Sequence, residues 1–212
     1  MKLKNIYIYG AGSSGIEILE LLNIINKTTK QWNIKGFIDI DKKKIGKSIK
    51  KYKVYDDSKV KKNKNDYGIC SVANPKIKEK ILKNLNKKFK TTNLFHPELY
   101  LPDDIKIGKG NVIFSNVHLS YNVKIGDNCL ISFGCDIGHD TKIDNFSSIM
   151  PGTIINGKVN IGKKCYIGSS ALISVGVKIG NNCKVGSGTK IFKKILSNTN
   201  VFEIPRIMKN KI

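Results

Sequence analysis

Every sixth residue from Ile107 to Ile191 is aliphatic, fifteen in succession without an insertion or a failure. The series begins Ile107, Ile113, Leu119 and Ile125 and ends Ile173, Ile179, Val185 and Ile191. With roughly a quarter of positions aliphatic, chance gives such a run on the order of once in a billion starts. A strict six-residue period predicts a parallel β-helix, in which each repeat supplies one short strand and one turn. Three repeats close one coil, so fifteen predict five coils. At the usual spacing of paired strands those coils stack about 24 Å tall.

Other positions of the repeat agree with this reading. Immediately after the aliphatic residue, seven of fifteen positions are glycine, among them Gly108, Gly138 and Gly186. Glycine there either permits a sharp turn or lets neighbouring backbone approach without a Cβ in the way. Four positions after the aliphatic, residues are mostly small or β-branched, as at Val117, Thr141 and Ala171, which suits the corners of a narrow prism. Two positions after it, residues are mostly polar, so that phase faces outward.

This phasing accounts for the cysteines. Cys129, Cys135, Cys165 and Cys183 all fall at the small corner position, and Cys70 lies in an apolar strand. No pair has a metal-ligand spacing such as CxxC, so no metal is expected. Free cysteine here acts as a small hydrophobe. Buried thiols, with no signal peptide and no long apolar run, predict a cytoplasmic protein without a membrane span.

The net charge of +22 raises the question of nucleic acid. Yet Arg206 is the only arginine among 38 basic residues, and bidentate arginine is the usual reader of base edges. The lysines are also dispersed, 23 before Leu99 and 14 after it, so nucleic-acid binding is not expected. The positive field does concentrate phosphorylated ligands.

The first hundred residues follow a different pattern. Asn5 to Tyr9 reads as a buried strand that enters Gly10-Ala-Gly-Ser-Ser-Gly15, followed by a helix with apolar residues at Ile16, Leu19, Leu22 and Ile25. Ile34 to Asp39 and Tyr67 to Ala73 read as further strands, and Pro75 opens a helix through Leu85. Lys42 to Lys64 reads as solvated loop with one short strand near Val54. Alternating strands and helices predict a small parallel sheet wrapped on both faces. Three parts are therefore expected: a Rossmann-like domain over 1–96, a β-helix over 97–196 and a tail over 197–212, an α/β domain joined to an all-β one.

Gly10-x-Gly12-x-x-Gly15, between a strand and a helix, is the fingerprint of a loop that holds a diphosphate against a helix N-terminus. Asp39, at the end of the second strand, stands where an acid would meet a ribose. NAD and a nucleotide sugar both satisfy this pattern. An N-terminal part this short, with no catalytic domain of the usual kind after it, is small for a dehydrogenase.

Tyr7 to Gly15, Gly36-Phe-Ile-Asp39, Phe95-His-Pro97 and the hexapeptides around Ile137-Gly-His-Asp140 together resemble the nucleotide-sugar acetyltransferases of the bacillosamine-pathway type. Sialic acid O-acetyltransferases share this build. The resemblance implies a left-handed β-helix, a homotrimer with active sites between subunits, and acetyl-CoA as the acetyl donor. It implies N-acetylation of the 4-amino group of an amino-deoxy sugar carried on UDP, dTDP or GDP. It gives His139 the role of general base and Asp140 that of raising its basicity. Sugar-nucleotide contacts fall on Gly12, Ser13, Ser14, Asp39, Ile40, Ala73 and Lys76, and cofactor contacts on Ser148, Ser169 and Ser187.

Two departures stand out. Ser148 replaces a second histidine of the bacillosamine enzymes, and the tail reads Glu203-Ile-Pro-Arg-Ile207 where the family has a Gly-x-Pro-Ala-like segment. His139 falls in the outward phase, and a neutral imidazole removes a proton at cytoplasmic pH. Adjacent strand residues point to opposite sides, so His139 and Asp140 can meet only in a turn. His96 and His118 match no catalytic position. Alternatives are sugar O-acetylation, a nicotinamide-dependent enzyme, a metal-dependent hydratase, which needs three converging histidines, and a non-catalytic nucleotide-binding scaffold.

Overall fold

The structure, a computed structural model, describes residues 3–203. It has two packed parts. The first is a five-stranded sheet with strands β1 (Lys4–Tyr9), β2 (Trp32–Asp39), β3 (Ser48–Ile49), β4 (Tyr52–Asp56) and β5 (Tyr67–Cys70) in the order β3-β4-β2-β1-β5. All pairs are parallel except β3 with β4. Helix α1 (Ser13–Thr28) crosses from β1 to β2, and helix α2 (Pro75–Lys88) follows β5 and leads towards the second part. Helix α1 buries Ile18, Leu19, Leu21, Leu22 and Ile25, whereas Ile16, expected in its apolar stripe, is 38% exposed. Residues 42–64 hold two strands, since Tyr52–Asp56 folds back on Ser48–Ile49.

From β6 (Leu94–Phe95) onward the chain winds as a left-handed parallel β-helix with three faces. The first face stacks Lys106–Ile107, Lys124–Ile125, Lys142–Ile143, Asn160–Ile161 and Lys178–Ile179. The third stacks His118–Leu119, Asp136–Ile137, Ile154–Ile155, Leu172–Ile173 and Lys190–Ile191. The second face contains Val112–Ile113, Leu130–Ile131, Ser148–Ile149, Tyr166–Ile167 and Lys184–Val185. It is longer by two strands, because β6 pairs with its first member and Asn200–Val201 with its last. The stack thus begins before residue 97 and runs past 196. The part of the tail beyond Glu203, including the atypical Ile-Pro-Arg-Ile segment, lies outside the described residues.

Each strand is only two residues long, and its second residue is the periodic aliphatic one, buried in a single core that runs the length of the prism. Burying an aliphatic side chain contributes about 1.5–3 kcal/mol, so the column of Ile and Val side chains carries this domain. The corners turn through the third residue after the aliphatic one. Fourteen of those fifteen residues, from Gly110 to Gly188, have a left-handed φ, and glycine and asparagine supply nine of them. The glycines just after the aliphatic residue do not turn the chain. They permit close stacking: a Cβ on Gly138 would lie 2.6 Å from the Gly157 amide in the next coil.

The second face is the seam between the two parts. Val112, Phe114 and Leu130 join the core beneath α1, and Phe146 packs against the cluster formed by Tyr9, Ile38 and α2. The C-terminal ends of β1, β2 and β5, with the loops that follow them, open beside the later coils of this face.

Candidate active site

His139 and Asp140 occupy one corner of the prism, between the third and first faces. Asp136–Ile137 ends one strand and Lys142–Ile143 begins the next, so the pair lies in the turn between them. Asp140 takes φ 58° there, a conformation that aspartate tolerates well. That twist turns both side chains the same way, and His139 Nδ1 lies 2.8 Å from Asp140 Oδ2. The hydrogen bond from His139 comes first in holding the Asp140 carboxyl below its ordinary range, followed by one from Asn122.

Three neighbours at this corner were not singled out in the sequence. Asn122 Nδ2 donates to Asp140 Oδ1 at 2.7 Å, and the Asn122 amide donates to Asp104 Oδ2 at 2.7 Å. The Tyr121 ring stacks on His139, with centroids 5.1 Å apart and planes 9° from parallel. On the other side, a Cβ on Gly157 would stand 2.5 Å from His139 Nε2, so only glycine leaves room for the ring. All three lie 18 residues, one coil, from His139 or Asp140. That spacing was the available signal. The Asp104–Asn122–Asp140–His139 chain fixes the imidazole: Nδ1–H is donated to Asp140 and Nε2 keeps its lone pair free. His118 forms a separate exposed pair with Asp136, Nδ1 to Oδ1 2.8 Å, on the third face.

The glycine loop forms a second site, a cavity of about 340 Å³ bounded by Gly10 to Gly15, Asp39, Ile40, Lys44 and Ser71 to Ala73. Gly10 and Gly15 are required by the fold, since a Cβ on Gly15 would be 2.1 Å from the Gly10 carbonyl oxygen. Gly12 is not: its Cβ would meet nothing within 4 Å. As the N-cap of α1 it offers no side chain, and the first turn of α1 holds no acid. The free amides there suit an anion. Helix α2, by contrast, is capped by Asn74 Oδ1, which accepts from the Lys76 and Ile77 amides.

Asp39 braces this loop. Its Oδ2 accepts from the Ala11 amide at 2.8 Å and its Oδ1 from the Asp41 amide at 3.0 Å. Burial acts to raise its pKa, but these amides and the Lys44 ammonium outweigh burial and hold the carboxyl below its ordinary range. Ser13 and Ile40 are exposed at the rim. Ala73 also borders an adjoining cavity of about 550 Å³, with Lys76 from the α2 turn and Lys164, Tyr166 and Lys184 from the β-helix.

The three serines expected to meet a cofactor separate. Ser169 and Ser187 stack one coil apart at the corner between the second and third faces, across the third face from His139. Ser148 is a correction. It is fully buried in the seam, donating to the Ala73 carbonyl at 2.7 Å and accepting from Lys78 Nζ at 2.7 Å. No ligand can reach it. The chain thus does not bring His139 to the glycine-loop cavity or to Ser169 and Ser187.

An α/β domain with an uncapped glycine loop is thus fused to a β-helix of six-residue repeats with an ordered His-Asp corner. Residues 5–85 match the PglD N-terminal domain family, and residues 158–193 match the hexapeptide repeat of succinyl-transferase. The chain therefore joins a PglD-type domain to hexapeptide repeats. Among solved structures it superimposes on perosamine N-acetyltransferase from Caulobacter crescentus, crystallised with CoA and GDP-perosamine, with a TM-score of 0.83 and 18% identity over 99% of both chains. The acetyltransferase domain of PglB from Neisseria gonorrhoeae gives 0.83 and 21% over 94% of this chain and 97% of that one. WeeI from Acinetobacter baumannii gives 0.76 and 24%, again over 94% and 97%. No curated protein matches the chain in sequence.

Proposed function

We propose that the chain transfers the acetyl group of acetyl-CoA to the 4-amino group of an amino-deoxy sugar carried on a nucleoside diphosphate. The observation that carries this reading is the His139–Asp140 corner, with Nδ1 bound to a carboxylate at 2.8 Å and Nε2 left free. The sugar amine attacks the thioester carbonyl, and His139 Nε2 takes its proton as the tetrahedral intermediate forms. Asp140 stabilises the resulting imidazolium. When the carbon–sulfur bond breaks, the same proton is available to the departing thiolate. The glycine loop receives the diphosphate, with Gly12, Ser13 and Ser14 beneath it and Asp39, Ile40, Ala73 and Lys76 around it. That uncapped loop favours a nucleotide-linked acceptor over a free sugar. Perosamine N-acetyltransferase, which shares the fold, is crystallised with CoA and GDP-perosamine in three of the solved structures, and the PglB domain is crystallised with acetyl coenzyme A in another.

The reading requires more than one copy. The base and the cofactor serines stand on opposite edges of the third face, so a neighbouring subunit must bring Ser169 and Ser187 to His139. The third face suits such contact: Ile154 is exposed on it, flanked by exposed Tyr121, Phe133 and Val175. We infer a homotrimer, a closed cyclic assembly in which each His139 corner meets the serine corner of a neighbour. Five buried free thiols fit a reducing cytoplasm, and among the described residues no helix is long and apolar enough to cross a membrane.

The test is release of free thiol from acetyl-CoA in the presence of UDP-, dTDP- and GDP-linked 4-amino sugars and of sialic acid. Release with one nucleotide amino sugar is expected, and His139→Ala should lower kcat by roughly 10²–10⁴-fold with acetyl-CoA binding retained. Near-normal kcat in a folded His139→Ala protein would place the base elsewhere.

A further inference from the structure

Lys78 is a cation with no acid beside it. It lies in the first half of α2, is 3% exposed, and points into the second face of the β-helix. Its Nζ donates to Ser148 Oγ at 2.7 Å, to the Asn128 carbonyl at 3.3 Å and to the Ser147 carbonyl at 3.5 Å. The Ser148 hydroxyl in turn donates a hydrogen bond to the Ala73 carbonyl at 2.7 Å. Ala73 borders both cavities at the C-terminal edge of the sheet. An aliphatic residue would fill this seam at lower cost, since burying an unpaired charge is expensive.

We propose that Lys78 is a positioning residue that, through Ser148, tethers the Ala73–Asn74 turn of the nucleotide-sugar pocket to the β-helix. The proposal deepens the acetyltransferase reading and rests on it for the identity of the ligand. Three N–H groups meet three acceptors, so the charged form is fully satisfied. A neutral amine has only two. Its lone pair would then face an acceptor, and Ser148 could satisfy that lone pair only by releasing Ala73. The tether is therefore complete only while Lys78 is protonated.

Burial brings Lys78 down to about 8. The groups facing it offer no counter-charge, because burial raises the Cys70 thiol on β5 and pushes Cys129 up to about 11. Glu79, the acid next along α2, is engaged with Lys164 of the β-helix at 2.9 Å. The consequence for pH has two opposite signs. A lysine held below its ordinary 10.5 costs the fold most when charged, so global stability rises as pH climbs from about 8 towards 10.5. Over the same range the Ala73–Asn74 turn loosens.

The experiment uses the full-length protein with Lys78→Met and Ser148→Ala. Amide hydrogen exchange of residues 73–77, corrected for intrinsic pH dependence, reads the tether without any ligand. Roughly tenfold faster exchange than the parent is expected in both variants at neutral pH, and the parent itself should speed up above pH 8, a step that Lys78→Met lacks. The thermal midpoint of Lys78→Met should hold or rise, which a purely structural role would not give. KM for the sugar nucleotide should rise roughly tenfold, equivalent to about 1.4 kcal/mol, with kcat within about twofold. Unchanged exchange at 73–77 in both variants overturns the proposal, as does a parallel fall in kcat and thermal midpoint. If exchange responds but the parent releases no thiol with any nucleotide sugar, the tether stands and the acetyltransferase reading fails.

Discussion

At the scale of single residues, the corner that holds His139 is built for one orientation of one ring. Asp140→Asn keeps the shape but removes the charge that stabilises the imidazolium. A smaller fall in kcat than for His139→Ala is expected, with the acidic limb of the pH–rate profile moved to lower pH. A limb that stays in place or moves up would show that Asp140 only orients the ring. Gly157→Ala is a sharper probe, because its methyl would sit 2.5 Å from His139 Nε2. The backbone of Gly157 is compatible with alanine, having no left-handed φ. Activity should therefore drop by at least tenfold while the thermal midpoint changes little. His139 and Asp140 were recognisable in the sequence, and their contact was expected on condition that both lie in a turn, which the left-handed φ of Asp140 supplies. Ser148 was misread for a related reason. A resemblance transfers a position in the repeat, and the burial of that position depends on α2, far away in the chain.

At the scale of elements, the cysteines illustrate what a hexapeptide corner asks of a side chain. All four coil thiols are buried, and their Sγ atoms approach carbonyls of the next turn, as with Cys165 to Gly180 at 3.0 Å and Cys183 to Leu196 at 3.0 Å. Burial pushes Cys135 up to about 11 and Cys165 to about 12, so these thiols are unreactive at neutral pH. Cys→Ala at any one corner should cost about 1–2 kcal/mol in denaturant unfolding and leave turnover unchanged. Loss of turnover in a folded variant would reveal a functional thiol. The strands, coils and corner phases of this domain were legible because one period repeats without interruption. The N-terminal domain was legible only in outline. The short hairpin Ser48–Tyr52 was hidden in lysine-rich sequence with no alternation to mark it, and the exposure of Ile16 follows from where α1 meets the sheet.

At the scale of the whole molecule, the third face carries the exposed apolar side chain of Ile154. Light scattering at micromolar concentration should give three times the chain mass. Ile154→Glu places a charge on that face without disturbing the buried Ile155 beside it. It should yield folded monomers that have lost acetyl transfer yet still bind a nucleoside diphosphate. A fully active monomer would remove the need for a second wall at His139. Neither the assembly nor the path of the acceptor sugar can be read from a hexapeptide period, which specifies only what lies inside one prism.

Under the proposed function, the place of His139 and of Ser169 and Ser187 on opposite edges of one face also has a genetic consequence. Two defective polypeptides can repair each other. Subunits carrying His139→Ala and subunits carrying paired Ser169→Phe and Ser187→Phe substitutions are each expected to be inactive alone. Co-expressed, they assemble some interfaces in which an intact histidine meets an intact serine corner, and at those interfaces activity returns. With random mixing at equal dose, about a quarter of interfaces pair the two intact halves by simple combinatorics of a cyclic assembly. A lesion in one allele would then be masked by a different lesion in the other, though neither chain could acetylate anything unaided.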